Sequence, residues 1–229
     1  MTWGTSQIEL KKMRNKEIIE PLTFLKDQKK DKFQRNDLGS FWFQVEVEKD
    51  ENIYKTPGIE QKNERGLSPS VFRLSVRLND SYLGHLTSFF NVPGLFGSIP
   101  YQSYNYIGAD CADVLMTAYN IWKNKNDKKD YNVQMLVNTF EKAASVVIKN
   151  GVPQKAIHWG KTIKPGYLIA VKYENKKRYQ HIGALFKDRD NDGILSAEDL
   201  ILHAGPWPLH LTRLKRGGFN GEVIILKTD

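Results

Sequence analysis

Hydrophobic and polar positions alternate with period two at two places near the front of the chain, which predicts two strands. In the first, Phe41, Phe43, Val45 and Val47 share one face and Gln44, Glu46 and Glu48 the other. In the second, Phe72, Leu74, Val76 and Leu78 stand opposite Arg73, Ser75 and Arg77. The polar stretch 49–69, holding Pro57-Gly58 and Arg65-Gly66, reads as a long loop, and Asn79-Asp80-Ser81 as a turn. Ahead of the strands, residues 7–28 set Ile8, Leu10, Met13, Ile18 and Ile19 among Lys and Glu, a helical pattern that Pro21 ends or kinks. The run Lys26–Arg35 reads as a solvated connection, because no aromatic residues alternate regularly with its lysines.

The texture changes after residue 90. Residues 91–110 carry Pro93-Gly94, Gly97, Pro100-Tyr101, Tyr104, Tyr106 and Gly108. From Cys111 onward, Val114, Leu115, Ala118, Ile121 and Trp122 fall on one helical face. Beyond the polar tip Lys123–Asp130 a second helix is predicted over 132–149, with Met135, Leu136, Phe140, Ala143 and Val147 inward and Asn150-Gly151 as its cap. Short apolar runs predict strands at about 167–173, 179–186, 199–204 and 221–227. Helices followed by antiparallel strands make an α+β class. The chain divides into a β-rich region, residues 1–95, and a second region, residues 96–229.

Composition narrows the classes. A chain of 229 residues can bury a sizeable core, and 40% hydrophobic with 26% charged residues argues against global disorder. The single cysteine excludes an internal disulfide, and no run of 18 apolar residues exists to span a membrane. The net charge of +8 suggests an anionic partner: nucleic acid, acidic lipid or anionic cell-wall polymer. Met1-Thr-Trp-Gly-Thr lacks a signal pattern, which fits either a cytosolic protein or one whose signal has been removed.

The candidate chemistry centres on Cys111. It opens a predicted helix, where unpaired N–H groups and the dipole favour a thiolate, and Asp110 is the natural cap. The plain alternative is an inert buried thiol. His181, in Gln180-His181-Ile182-Gly183, and His203, in Ile201-Leu202-His203-Ala204, lie in predicted strands among apolar residues. Together with Cys111 they can form a thiol, an imidazole base and a residue that orients it. His85, His158 and His210 have no such setting and read as structural or surface residues.

Gly108-Ala109-Asp110-Cys111-Ala112-Asp113-Val114 resembles the Asp-Cys-Ser-Gly motif of the NlpC-type cysteine peptidases of bacterial cell walls. Lys164-Pro165-Gly166-Tyr167-Leu168-Ile169 is similar to their Pro-Gly-Asp-Leu turn and strand, His181-Ile182-Gly183-Ala184 to their His-Val-Gly-Ile, and Ile201-Leu202-His203-Ala204 to their Ile-His-Ala. The resemblance spans residues 100–227. It implies a papain-like fold, a helix bearing the cysteine packed on an antiparallel sheet bearing the histidines. It also implies Cys111 as nucleophile, His181 as general base, His203 as orienter, and a peptidoglycan substrate outside the cytoplasm. Tyr101, Tyr104 or Tyr106, with Asp110, would line the substrate groove, and the β-rich region would bind the wall. The motifs depart from the family where Ala112-Asp113 replaces Ser-Gly and Tyr167 replaces Asp. The spacing from Cys111 to His181 also suits the related CHAP amidases, but His203 points to the NlpC type.

Between the two histidines, residues 188–199 match an EF-hand calcium loop. Asp188, Asp190, Asp192, the Ile194 carbonyl, Ser196 and Asp199 fall at the ligand positions, with Gly193 at the sharp turn. Asp199 replaces the usual Glu. The loop would join the strand of His181 to that of His203, so calcium is expected to stiffen their alignment. No organic cofactor is implied. Three functions remain: a thiol hydrolase cutting amide bonds in peptidoglycan stem peptides, a non-catalytic calcium-dependent carbohydrate- or wall-binding module, and a nucleic-acid binder. The last rests on charge alone.

Overall fold

Aromatic and alternating residues set the front of the architecture in a computed structural model, which describes residues 35, 37–58, 60–63, 66–205 and 207–229. The helix expected over 7–28 and all of the charge run but Arg35 lie outside the described residues. β1 (Gly39–Phe43) is followed by two small hairpins, β2 (Glu46–Lys49) with β3 (Asn52–Lys55) and β4 (Lys62–Asn63) with β5 (Gly66–Leu67). β6 (Phe72–Val76) then returns to pair antiparallel with β1.

The strands fall where alternation predicts; Phe41 is buried as expected, but the strongest burial goes to the opposite face of the first strand, and the second strand leaves its expected face exposed. Trp42 is only 2% exposed, whereas Phe72 is 65% and Leu74 50% exposed. Ser40 is buried beside Trp42's face, its hydroxyl 2.6 Å from Ser75 Oγ and donating to the Ser88 carbonyl at 2.8 Å. Arg73 covers the Tyr106 ring at 3.8 Å. β1 is covered on both faces, with Phe41 and Trp42 both buried, whereas its partner β6 is covered on neither and leaves Phe72 and Leu74 exposed. The first predicted strand also breaks after Phe43, so Val45 and Val47 leave the ribbon and stand exposed.

Four short helices follow. Ser81 caps α1 (Tyr82–Thr87), Pro100 occupies the first turn of α2 (Pro100–Tyr104), Asp110 caps α3 (Cys111–Trp122) and Asn132 caps α4 (Val133–Thr139). The helix predicted over 132–149 therefore stops after two turns, and β7 (Lys142–Lys149) takes its second half. Val146, Val147 and Ile148 are β-branched in a row, which suits a pleated surface with partners better than a helix. Asn150 and Gly151 have φ of 50° and 76° and turn β7 into β8 (Val152–Pro153), the Asn-Gly signature of a tight hairpin rather than of a helix cap.

The remaining strands are β9 (Leu168–Lys172), β10 (His181–Lys187), β11 (Leu200–His203), β12 (His210–Arg213) and β13 (Gly221–Leu226). They assemble with β7 and β8 into a curled antiparallel sheet of order β12-β11-β10-β9-β13-β7-β8. The fold is thus mixed α and β, with one large sheet and few helices. Successive residues feed two cores: Ala170, Ile182, Ala184 and Leu202 join Val114, Leu115 and Ala118 of α3. Ile169, Val171, Leu185 and Ile201 join Ile157, Leu195 and Phe219 on the opposite face. Trp42, Leu86, Phe89 and Phe90 belong to the α3 side. No helix among the described residues is long and apolar enough to cross a membrane.

Candidate active site

Cys111 is the first residue of α3, held there by a well-formed cap. Asp110 accepts hydrogen bonds from the N–H groups of Ala112 at 2.8 Å and Asp113 at 2.9 Å. Ser98 Oγ accepts from the Asp110 N–H at 2.9 Å and donates to Asp113, so loop and helix start are tied together. Burial pushes the Asp113 carboxyl up to about 7.

The charge state of the thiol reverses the expectation. N–H groups of Ile182, Cys111 and Ala112 favour the thiolate, but burial and then the Asp110 carboxylate outweigh them and push Cys111 up to about 12. The predicted low-pKa thiolate is therefore a protonated thiol at rest: desolvation exceeds what a helix N-terminus contributes.

The two expected histidines meet. His181 Nε2 lies 2.9 Å from His203 Nδ1 across β10 and β11. Gly183 allows that approach, since a Cβ there would come within 2.9 Å of both His203 Cβ and the Leu202 carbonyl oxygen. His203 Nε2 in turn lies 3.2 Å from Thr212 Oγ1 on β12, so both nitrogens of its ring are engaged. His181 Nδ1 makes no hydrogen bond among the described residues. Phe219 packs on both rings, with centroids at 5.1 and 5.6 Å. Burial, followed by repulsion from the neighbouring His210 ring, lowers His181 to about 4, and burial lowers His203 well below the usual imidazole range. Both rings are neutral near pH 7.

Cys111 is less directly joined to them. By alternation from Ile182 and Leu202, the histidines come off the sheet face opposite α3. The thiol meets β10 through the N–H of Ile182, the residue next to His181. Cys111 makes no hydrogen bond to either histidine among the described residues.

The histidines line a cleft of ≈ 1010 Å³, walled also by Tyr173, Trp207, His210, Thr212, Arg213 and Arg216. The tyrosines expected in a substrate groove are not on its wall, and neither are Asp110 and Cys111. Tyr106 is buried and stacked on Phe89 at 4.2 Å, the Tyr104 hydroxyl donates to the Asp127 carbonyl at 2.7 Å, and Tyr101 is exposed on α2. Sequence reasoning missed Tyr173, Trp207, Thr212 and His210. His210 pairs with His203 across β11 and β12, their rings 4.5 Å apart, so it is no isolated surface residue. The only available signal was the alternating tetrapeptide His210-Leu-Thr-Arg, too short to stand out.

The loop between β10 and β11 could hold a metal in part. Carboxylate oxygens of Asp188, Asp190 and Asp192 lie within 4.8 Å of one another, a spacing suited to a hard divalent cation. Asn191 and Gly193, with φ of 56° and 76°, turn the loop as an EF-hand turns. Ser196 Oγ donates to Asp190, and the Ile194 N–H donates to Asp192. Asp199 departs from its expected role as a ligand. Its oxygens accept from Arg189 N–H at 3.0 Å, Ser196 N–H at 2.9 Å and the Trp159 indole at 2.9 Å. Its short side chain closes the loop from within.

Comparison with protein-family models, with curated proteins and with solved structures finds no match for this chain.

Proposed function

We propose that the chain is a cysteine hydrolase of the papain-like NlpC type, acting outside the cytoplasm on amide bonds of peptidoglycan stem peptides. The observation that carries this reading is the 2.9 Å contact between His181 Nε2 and His203 Nδ1, which leaves His181 Nδ1 unengaged on the residue next to Ile182, whose N–H meets the Cys111 thiol. The motif order Cys111, Pro165-Gly166, His181, His203 supports it.

A thiol and imidazoles that are all neutral at rest favour general-base attack over a standing ion pair, and the reading requires the Cys111 thiol to reach His181 around the start of β10. His181 Nδ1 takes the thiol proton as the Cys111 sulfur bonds to the acyl carbon and the carbonyl electrons move to oxygen. His181 keeps its Nε2 proton, donated to His203 Nδ1, while His203 donates from Nε2 to Thr212. Collapse expels the amine, which leaves with the proton from His181, giving an acyl-enzyme. Water then attacks, its proton goes to His181, and cleavage of the C–S bond returns the thiol. Asp188, Asp190 and Asp192 would hold calcium, completed by water, which would stiffen the link between β10 and β11 without taking part in the chemistry.

Digestion of purified peptidoglycan with wild type and Cys111→Ala, with and without calcium, followed by mass analysis of released muropeptides, tests the proposal. Release by wild type alone supports it, and no release under any condition overturns it.

Two observations favour a second reading. The raised thiol pKa and the position of Cys111 off the cleft wall suit a non-catalytic calcium-dependent carbohydrate- or wall-binding module. Under that reading Cys111→Ala binds wall material as wild type does, and neither releases a fragment.

A further inference from the structure

We propose that the rim of the histidine cleft formed by Arg213 and Arg216 is a subsite for a carboxylate carried by the ligand, an inference that deepens the peptidoglycan reading above. The rim is set by a charge imbalance. Glu198 is the shared partner of Arg189 at 3.5 Å, Arg213 at 2.9 Å and Lys215. One carboxylate is thus shared by three cations, of which Arg213 lines the cleft where β12 runs into the turn Leu214–Arg216.

Arg216 adds a further cation. It lines the cleft, and its side chain makes no hydrogen bond or ion pair among the described residues. Arg35, across the same cleft, is different, since a two-pronged contact to Asp37 at 2.9 and 2.7 Å satisfies it. Of the arginines on the cleft, Arg35 and Arg213 are thus paired with carboxylates and Arg216 is not. Gly217 and Gly218 follow Arg216 on the wall, and a Cβ at Gly217 would meet the Phe219 ring at 2.9 Å, which lets Phe219 pack close there.

An open guanidinium selects planar, doubly accepting oxyanions, because its paired N–H groups match the two oxygens of a carboxylate. Trp207 and Tyr173 give the cleft apolar surface, and Thr212 and His210 line it with polar groups. This combination orients a peptide that bears a carboxylate near the bond facing His181. It gives a neutral peptide no comparable anchor.

The test pairs a purified muropeptide with the same muropeptide whose carboxylates have been converted to carboxamides. Binding of each to the full chain carrying Cys111→Ala, at low salt, is measured by titration calorimetry, and turnover of each by wild type is measured alongside. The carboxylate form is expected to bind about tenfold more tightly than the amide. Arg216→Gln is expected to remove most of that preference, and in the wild-type background to raise KM with kcat unchanged. Equal binding of the two forms, failure of both to bind, or a preference that survives in Arg216→Gln overturns the subsite. Selective binding through Arg216 without any release by wild type would uphold the subsite and overturn the hydrolase. Release by wild type without selectivity would do the reverse.

Discussion

His181 and His203 meet nitrogen to nitrogen at 2.9 Å, and Thr212 holds the far side of the second ring. Because His203 is buried, an unpartnered Nε2 would carry a desolvation cost and free the ring to turn. Thr212→Val is therefore expected to lower kcat about three- to tenfold while Thr212→Ser restores it. Rescue by the serine separates a hydroxyl effect from a packing effect, and unchanged kcat in the valine variant would remove Thr212 from the arrangement.

Gly183 supplies the close approach of the two histidine strands. A methyl group there must displace His203 Cβ or the Leu202 carbonyl, neither of which is the end of a flexible side chain. Gly183→Ala is expected to cost about 1–3 kcal/mol in denaturant unfolding. Its muropeptide release should fall further than that loss of stability explains, because the His181–His203 contact itself opens.

Cys111 should react as a buried thiol. With its pKa near 12, alkylation by iodoacetamide is expected to climb about tenfold per pH unit from neutral to alkaline pH, with no plateau. A plateau beginning near neutrality would instead report a thiolate stabilised at rest, and would replace general-base attack with an ion pair.

Asp113 couples stability to pH. Its folded value, near 7, lies above the ordinary carboxyl value of about 3.9, so the folded chain binds the proton more tightly than the unfolded one. That contribution is full below the unfolded value and is lost as pH rises through about 7. The Tm of wild type is thus expected to fall between about pH 4 and about pH 7, and Asp113→Asn to flatten the fall. Identical profiles would show that Ser98 and the helix start tolerate the charged form.

Calcium is expected to raise the Tm of wild type but not of Asp190→Ala, measured by calorimetry with and without chelator. If Asp190→Ala abolishes calcium binding yet leaves turnover and Tm as in wild type, the loop does not align His181 with His203.

Local chemistry made part of this legible. The Asp110 cap, the α3 face and four of the sheet strands follow from side-chain type and period, and the structure places them within a residue or two of the expected bounds. The 132–149 segment was not legible, because Met135, Leu136 and Phe140 fit a helical face while Val146 to Ile148 needed the distant β13 to become a strand. The same limit hid Thr212 and His210, whose importance arises only when β12 pairs with β11. The thiol's protonation was hidden too: helix position is local, but burial by the rest of the fold is not.

Trp159 donates its indole N–H to Asp199, the residue that closes the loop between the histidine strands. The emission of an indole follows the polarity and hydrogen bonding around it. Among the five tryptophans of the chain, this one is therefore wired to the loop, and its fluorescence is a built-in optical signal of how that loop is held.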